Sequence, residues 1–436
     1  MLLAALLMPH GEFRYYAEEP LSGLASASGV AFDFRCEDPG AVDRCICYFR
    51  SGKGWYLVPF VATEKGVSSV RVLKKDVLRT EGAVSGWDKV DLVRISCWRF
   101  ADGRPGRMEV SNLRPVADED VSEETFAPVA ALPPKVGEIR AMCCHSPWGL
   151  GDRGWDETVR LLKERGITDL WANLCRAGLA YYRSGVLPVS PDVATRGDQF
   201  EACRAACRKY GMRMHVWKVM WRVEKPHRTE EFFEACRAAG RFQTHATITN
   251  KWWLCPADPV NRKAEIDSFV ELARKGPDGI LLDYIRYPGE GWCTCDRCRG
   301  RSRVETISSL VGEVSAAVRA AAPGVSITAT VFRDPLDAYD SVGQRWADWC
   351  AAGWVDFISP MDYIEDPRVF ALRVETQRRF AGKAKILPLI GPTLWKDRAK
   401  ASARMTEEIL ATRRLGCDGF GLFDCNADMI RILDGK

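Results

Sequence analysis

The stretch DGILLDYIRYP, residues 278–288, decides the reading of the fold. After Asp278-Gly279 comes a short apolar run, Ile280 to Leu282, which ends on an acid, Asp283. A run this short, bounded by turn chemistry, reads as a fully buried strand. An acid placed directly after such a strand has few packing reasons to be there, so Asp283 is a candidate functional carboxylate. The alternative is an ion pair with Arg286 that closes the strand end.

Working outward, the same rhythm recurs from Ile139 onward. IRAMCCHS, DLWANLC, RMHVWKVMW, DGILLDYI, SITATVF, DFISPMDY, KILPLIG and DGFGLFD read as strands, with amphipathic helices between them. Ile307, Leu310, Val311, Val314 and Val318 keep the spacing of one helical face. Asp258-Pro259 reads as an N-cap and a first-turn proline, and Gly276 as the stop of that helix. Eight strands alternating with helices predict a (β/α)8 TIM barrel over residues 137–436. CCHSPWGLGDRG lacks the G-x-G-x-x-G fingerprint expected of a doubly wound sheet.

Upstream the periodicity changes. Residues 12–117 read as strands and turns, with CICYFRSGKGWYLVPF (45–60) as a hairpin around SGKG, and an all-β sandwich is expected. Residues 118–136, with an acidic cluster from Asp118 to Glu124 and then Pro133-Pro134, read as a linker. The apolar start MLLAALLMPHG reads either as the remnant of a signal peptide or as a short apolar beginning. No later run approaches a membrane span.

The chain has 436 residues, 47% hydrophobic and 28% charged, with 62 Lys plus Arg against 58 Asp plus Glu. That is the composition of a folded globular protein. The net charge of +4 is scattered rather than gathered in a stripe, which argues against nucleic acid as the partner. Seventeen Cys is an odd count without a small-domain disulfide spacing, and Cys203, Cys207 and Cys236 fall on apolar helix faces. The cluster Cys293, Cys295, Cys298 could hold zinc with a fourth ligand such as Cys255, form a disulfide within the loop, or stay as free thiols. No metal or cofactor is assigned to the active site.

In a TIM barrel the reacting groups sit at the C-terminal ends of the strands. Asp283, Asp334, Asp362 and Asp424 end or follow strands there. His145 and Trp148, His215 and Trp217, Tyr284, Arg286 and Tyr287, and Tyr363 accompany them as candidate substrate-binding residues, with Asp424 in the same role. Paired carboxylates in an aromatic cleft suit glycoside hydrolysis. Asp362 could instead cap the next helix, a role Asp366 before Pro367 fills better. His215 and Trp217 share a strand face, which Lys218 does not.

WLCPADPVNRKAEIDSFVELARKGPDGILLDYIRYP, CTCDRC, VDFISPMDYIED, ILPLIGPTLWKDR and RRLGCDGFGLFDCN together resemble the family-10-like glycosyl hydrolases, once filed as domain of unknown function 187. The resemblance runs from about residue 137 to the end. It implies a bacterial, often exported barrel glycosidase acting on polysaccharide, with peptidoglycan glycan strands a recurrent substrate class. By analogy with barrel glycosidases it implies Asp283 as nucleophile, Asp362 as acid/base, and retention of configuration. The family commonly has His two residues before the catalytic Asp, where this chain has Leu281. The N-terminal region loosely resembles jelly-roll carbohydrate-binding modules, with Trp55, Tyr56, Trp87 and Trp98 as a sugar platform or as core. The resulting expectation is a secreted or periplasmic glycosidase acting on a polysaccharide or oligosaccharide. The rival is a non-catalytic sugar-binding protein on a degenerate barrel.

Overall fold

The computed structural model describes residues 4–7, 13–37, 42–60, 66–99, 108–117, 127–223, 230–249, 252–333, 335–396 and 398–436. The acidic run from 118 to 124 and Asp334 lie outside them. The chain forms two compact units, Met1–Thr125 and Phe126–Lys436.

The first unit is antiparallel throughout. Strands β1 (Ala4–Leu7), β2 (Phe13–Pro20), β3 (Gly29–Cys36), β4 (Val42–Ser51), β5 (Lys53–Phe60), β6 (Gly66–Leu73), β7 (Arg79–Ala83), β8 (Val90–Arg99) and β9 (Met108–Val116) form two sheets, ordered β1-β2-β8-β4-β5-β7 and β6-β3-β9. The hairpin expected over residues 45–60 is β4–β5, turning between Ser51 and Gly54. Alternating side chains of both sheets, among them Phe32, Phe34, Phe49 and Ile95, meet in one apolar cluster. The four aromatics do not make one platform. Trp87 is buried against Phe49 and Tyr56, while Trp55 and Trp98 belong to a separate small cluster with Tyr48.

The second unit is the α/β part, and all eight strands expected from the sequence are present. β10 (Ile139–Cys144), β11 (Asp169–Arg176), β13 (Arg213–Val219), β14 (Gly279–Asp283), β15 (Ser326–Val331) and β16 (Phe357–Pro360) pair in parallel, in order. A two-residue strand, β12 (Leu179–Ala180), pairs antiparallel with β11 and has no counterpart in the sequence reading. The seventh segment is split by Leu387-Pro388: β17 (Lys385–Ile386) pairs with β16, and β18 (Leu389–Ile390) with β19 (Gly419–Leu422). β19 then pairs with β10, so the sheet curls round on itself in a TIM-barrel-like ring.

Helices cover the outside. Ile307, Leu310, Val311, Val314 and Val318 of the helix Arg303–Ala321 are all fully buried against the sheet. Asp258 caps the helix Pro259–Arg274 by accepting from the Val260 and Asn261 amides, and Asp366 caps Pro367–Ala381 through the Arg368 amide. Among the described residues no helix is long and apolar enough to cross a membrane.

Candidate active site

Side chains of a strand alternate between faces, so Leu281 and Asp283 on β14 point inward while Ile280 and Leu282 join the outer apolar layer. Strands on either side supply partners for the carboxylate. From β13, the Trp217 indole Nε1 donates to Asp283 Oδ2 (2.8 Å). From β15, the Thr330 hydroxyl donates to Oδ1 (2.6 Å), which also accepts from the Tyr284 amide (2.8 Å). Tyr284 takes a left-handed conformation (φ 58°), uncommon for a residue with a side chain. Burial is the largest influence on Asp283 and holds its pKa above the usual carboxylate range. The three donors, and Arg286 at longer range, pull the other way.

Above Asp283 lies a cavity of about 190 Å³. Trp217, Tyr284, Tyr363 and Phe423 supply aromatic walls, Leu281 an apolar contact, and Thr330, His145, Arg176 and Arg222 the polar lining. Tyr363 stacks on Phe423 (centroids 5.2 Å apart) and lies so close to Gly391 that a Cβ there would sit 2.6 Å from its ring. His145 and Arg176 also line a wider trough of about 1340 Å³ that holds Trp148, Tyr181 and Asp424. Arg176 Nη1 lies 3.3 Å from His145 Nδ1, and the Arg196 guanidinium sits 4.4 Å over the Trp148 ring.

The structure therefore gathers Asp283, His145, Trp217, Tyr284 and Tyr363 at the cavity, and Trp148 and Asp424 in the adjoining trough. Burial raises the Asp424 pKa, and Asn426 Nδ2 donates to its Oδ1 (2.9 Å). Asp283 and Asp424 both act electrostatically on Cys143 and Tyr363 in the cavity wall.

Four expected residues are elsewhere. Asp362 does not line the cavity with Asp283: Met361 and Tyr363 face inward, and Asp362 between them points to the helix layer. There it is fully buried, accepting from Gln377 Nε2 (2.7 Å), and burial lifts its pKa from 3.8 to about 7. Buried Glu408 feels its charge and is raised well above the usual range for the same reason. His215 is on the inner face but low in the barrel, where Nε2 meets Asp169 Oδ1 at 2.9 Å. Tyr287 points to Cys298, with its hydroxyl 3.7 Å from the sulfur. Arg286 makes no hydrogen bond to Asp283 among the described residues. Its guanidinium lies over the Tyr284, Phe332 and Trp253 rings, at 4.7, 4.7 and 5.1 Å. Lys218 faces outward and pairs with Glu265 in the barrel wall.

Thr330, Arg176, Arg222 and Phe423 belong to the site without having been singled out in the sequence. Thr330 carried a signal: in SITATV it alternates with Thr328 on one strand face, two polar residues in a buried strand. Among the described residues, the side chains grouped so that they could hold a metal are Cys255, Cys293, Cys295 and Cys298, and none of them lines the cavity.

A family model described as "Putative glycosyl hydrolase domain" matches residues 227–372, a segment that includes Asp283 and Asp362. No curated protein matches the chain. Among solved structures, the chain is similar to the PgaB (BpsB) glycoside hydrolase domain from Bordetella bronchiseptica. That match has 12% identity and a TM-score of 0.51, over 66% of this chain and 93% of that one. It is also similar to the catalytic domain of a beta-amylase from Paenibacillus polymyxa (10%, TM-score 0.47, 69% and 95%). A third is an endo-1,4-beta-mannanase from Rhizomucor miehei (7%, TM-score 0.48, 66% and 86%). At 12% identity the likeness to the Bordetella bronchiseptica domain is one of fold.

Proposed function

We propose that the cavity above Asp283 is the active site of a glycosidase. The observation that carries this reading is a carboxylate at the end of the fourth barrel strand, fixed by three donors at the base of an aromatic-walled cavity. Aromatic faces suit sugar rings, and an oriented carboxylate suits the positive charge that develops at the anomeric carbon. Each of the three donors favours the ionised form of Asp283. Asp283 is accordingly the group that attacks the anomeric carbon or stabilises the oxocarbenium ion, with retention of configuration if it attacks directly.

Asp362 is replaced in this scheme by Asp424 as the second carboxylate. Asp424 lines the adjoining trough, has one side-chain donor where Asp283 has two, and is the carboxylate assigned to protonate the leaving oxygen. His145 and Arg176, shared by cavity and trough, lie where sugar hydroxyls pass from one to the other. The wider trough suits a chain rather than a single ring, so the proposed substrate is a polysaccharide, with peptidoglycan glycan strands the first choice and an exported location to match.

One observation favours the rival, a barrel that binds sugar without cleaving it: Asp283 shares its inner cavity with no second acid among the described residues, and Leu281 beneath it is apolar. Release of new reducing ends from denuded peptidoglycan or from a panel of plant and host glycans separates the two. Release supports the glycosidase, and binding without release across the panel supports the rival.

A further inference from the structure

Two loops at the C-terminal ends of neighbouring strands meet beside the cavity. One, after β13, carries Cys255, and the other, after β14, carries Cys293, Cys295 and Cys298. Their four sulfurs all lie within 4.8 Å of one another. Cys255 Sγ is 3.6 Å from Cys295 Sγ and 3.4 Å from Cys298 Sγ. A disulfide joins two sulfurs at about 2.05 Å and leaves the others out, whereas here Cys255 is near-equidistant from two partners. A tetrahedral zinc with Zn–S bonds of about 2.3 Å places its sulfurs roughly 3.8 Å apart, close to the spacing found.

The sulfurs border the apolar core, and polar groups reach two of them. The Thr244 amide donates to Cys293 Sγ (3.3 Å), and the Tyr287 hydroxyl lies 3.7 Å from Cys298 Sγ. The Cys298 amide donates to the Cys295 carbonyl (2.9 Å), so the C-x-x-C pair is closed by a tight turn. Cys255 itself is pinned: its amide donates to Arg241 O, and Asn261 Nδ2 donates to its carbonyl (3.0 Å).

We propose that Cys255, Cys293, Cys295 and Cys298 bind one zinc ion as a closed tetrathiolate site. Binding replaces four S–H protons by four Zn–S bonds and releases the protons to solvent, leaving a complex of net charge −2. With all four positions taken by protein, the ion has no place for water or substrate, and its role is structural. It fastens together the two loops, which carry Arg222 and Tyr284 of the cavity lining. Trp253, two residues before Cys255, packs on Tyr284 (5.1 Å), and Trp292, beside Cys293, packs on His245 (4.9 Å). This inference holds whether or not the cavity hydrolyses sugars.

The test is metal content of the full chain, produced in zinc-supplemented medium and freed of loose metal by gel filtration. The expected result is one zinc per chain. Cys255→Ser and Cys295→Ser should lose it, while Cys417→Ser, outside the cluster, should retain it. Replacement by cobalt(II) should give the intense visible absorption of a tetrahedral tetrathiolate, a readout that needs only the wild-type chain if the serine variants do not fold. Absence of stoichiometric metal together with no cobalt uptake, a mapped disulfide among the four cysteines, or iron in place of zinc would each overturn the assignment.

Discussion

Trp217 and Asp283 stand on adjacent strands and meet inside the barrel, the indole Nε1–H donating to the carboxylate over 2.8 Å. The bond stabilises the anion against a burial that disfavours it. Trp217→Phe keeps a smaller aromatic ring and removes the donor, so the Asp283 pKa rises further. A hydrogen bond to a charged group contributes about 1.5–3 kcal/mol, so the acid limb of the pH–rate profile should move up by roughly one to two pH units. An unmoved limb would separate Asp283 ionisation from activity.

Asp424 is assigned the proton that the leaving oxygen receives. Asp424→Asn should lower kcat by roughly 10²–10⁴-fold on natural glycosides, the usual contribution of general acid catalysis. Aryl glycosides whose leaving group departs without a proton should lose far less. Equal losses on both substrates, compared by steady-state kinetics, would remove Asp424 from that role.

Asp362 should be dispensable for turnover and costly for stability at neutral pH. Its folded pKa, about 7, lies above its ordinary 3.8, so the folded state holds the proton more tightly. Its stabilising contribution is therefore full below about pH 4 and is lost as pH rises to about 7. Asp362→Asn should keep activity within a few-fold. It should become more stable than wild type as pH rises, by at most roughly 4 kcal/mol from Asp362 itself, three pKa units at about 1.36 kcal/mol each. Glu408, raised first by burial and then by the Asp362 charge, adds a smaller fall in the variant than in wild type, which widens the difference in the same direction. Thermal melts from about pH 5 to about pH 8 read the difference directly, and parallel curves would contradict it.

Much of the α/β unit was legible because its signals are local. Short apolar strands, the Asp258-Pro259 and Asp366-Pro367 caps and the one-sided helix 303–321 each follow from a few adjacent residues. Strand parity also placed Leu281 and Asp283 on the inner face. The same rule, applied from Met361 and Tyr363, turns Asp362 outward, but Asp362 was chosen as an acid at a strand end and given its acid/base role by analogy, and neither step used that count. His215 has the right parity and the wrong height. It registers against Gly279 while Val219 registers against Asp283, so it lies about 13 Å lower at 3.3 Å per residue, far from substrate. Cys255 was named as a fourth partner of the cluster, but it is 40 residues from Cys295 and no spacing rule joins them. Only the closeness of neighbouring barrel strands brings their loops together. Tyr287 was read as a sugar contact for want of that knowledge, since its partner is Cys298.

Asp283 is the centre of the proposed active site. Its most direct test is turnover by Asp283→Asn, an isosteric change that keeps one acceptor oxygen for Thr330 and the Tyr284 amide and gives up the one that accepts from Trp217, on a glycan the wild type cleaves. Sugar affinity is measured alongside by calorimetry. The predicted result is a loss of kcat by at least roughly 10³-fold with affinity within several-fold of wild type. Turnover at the wild-type rate would contradict the assignment of the active site.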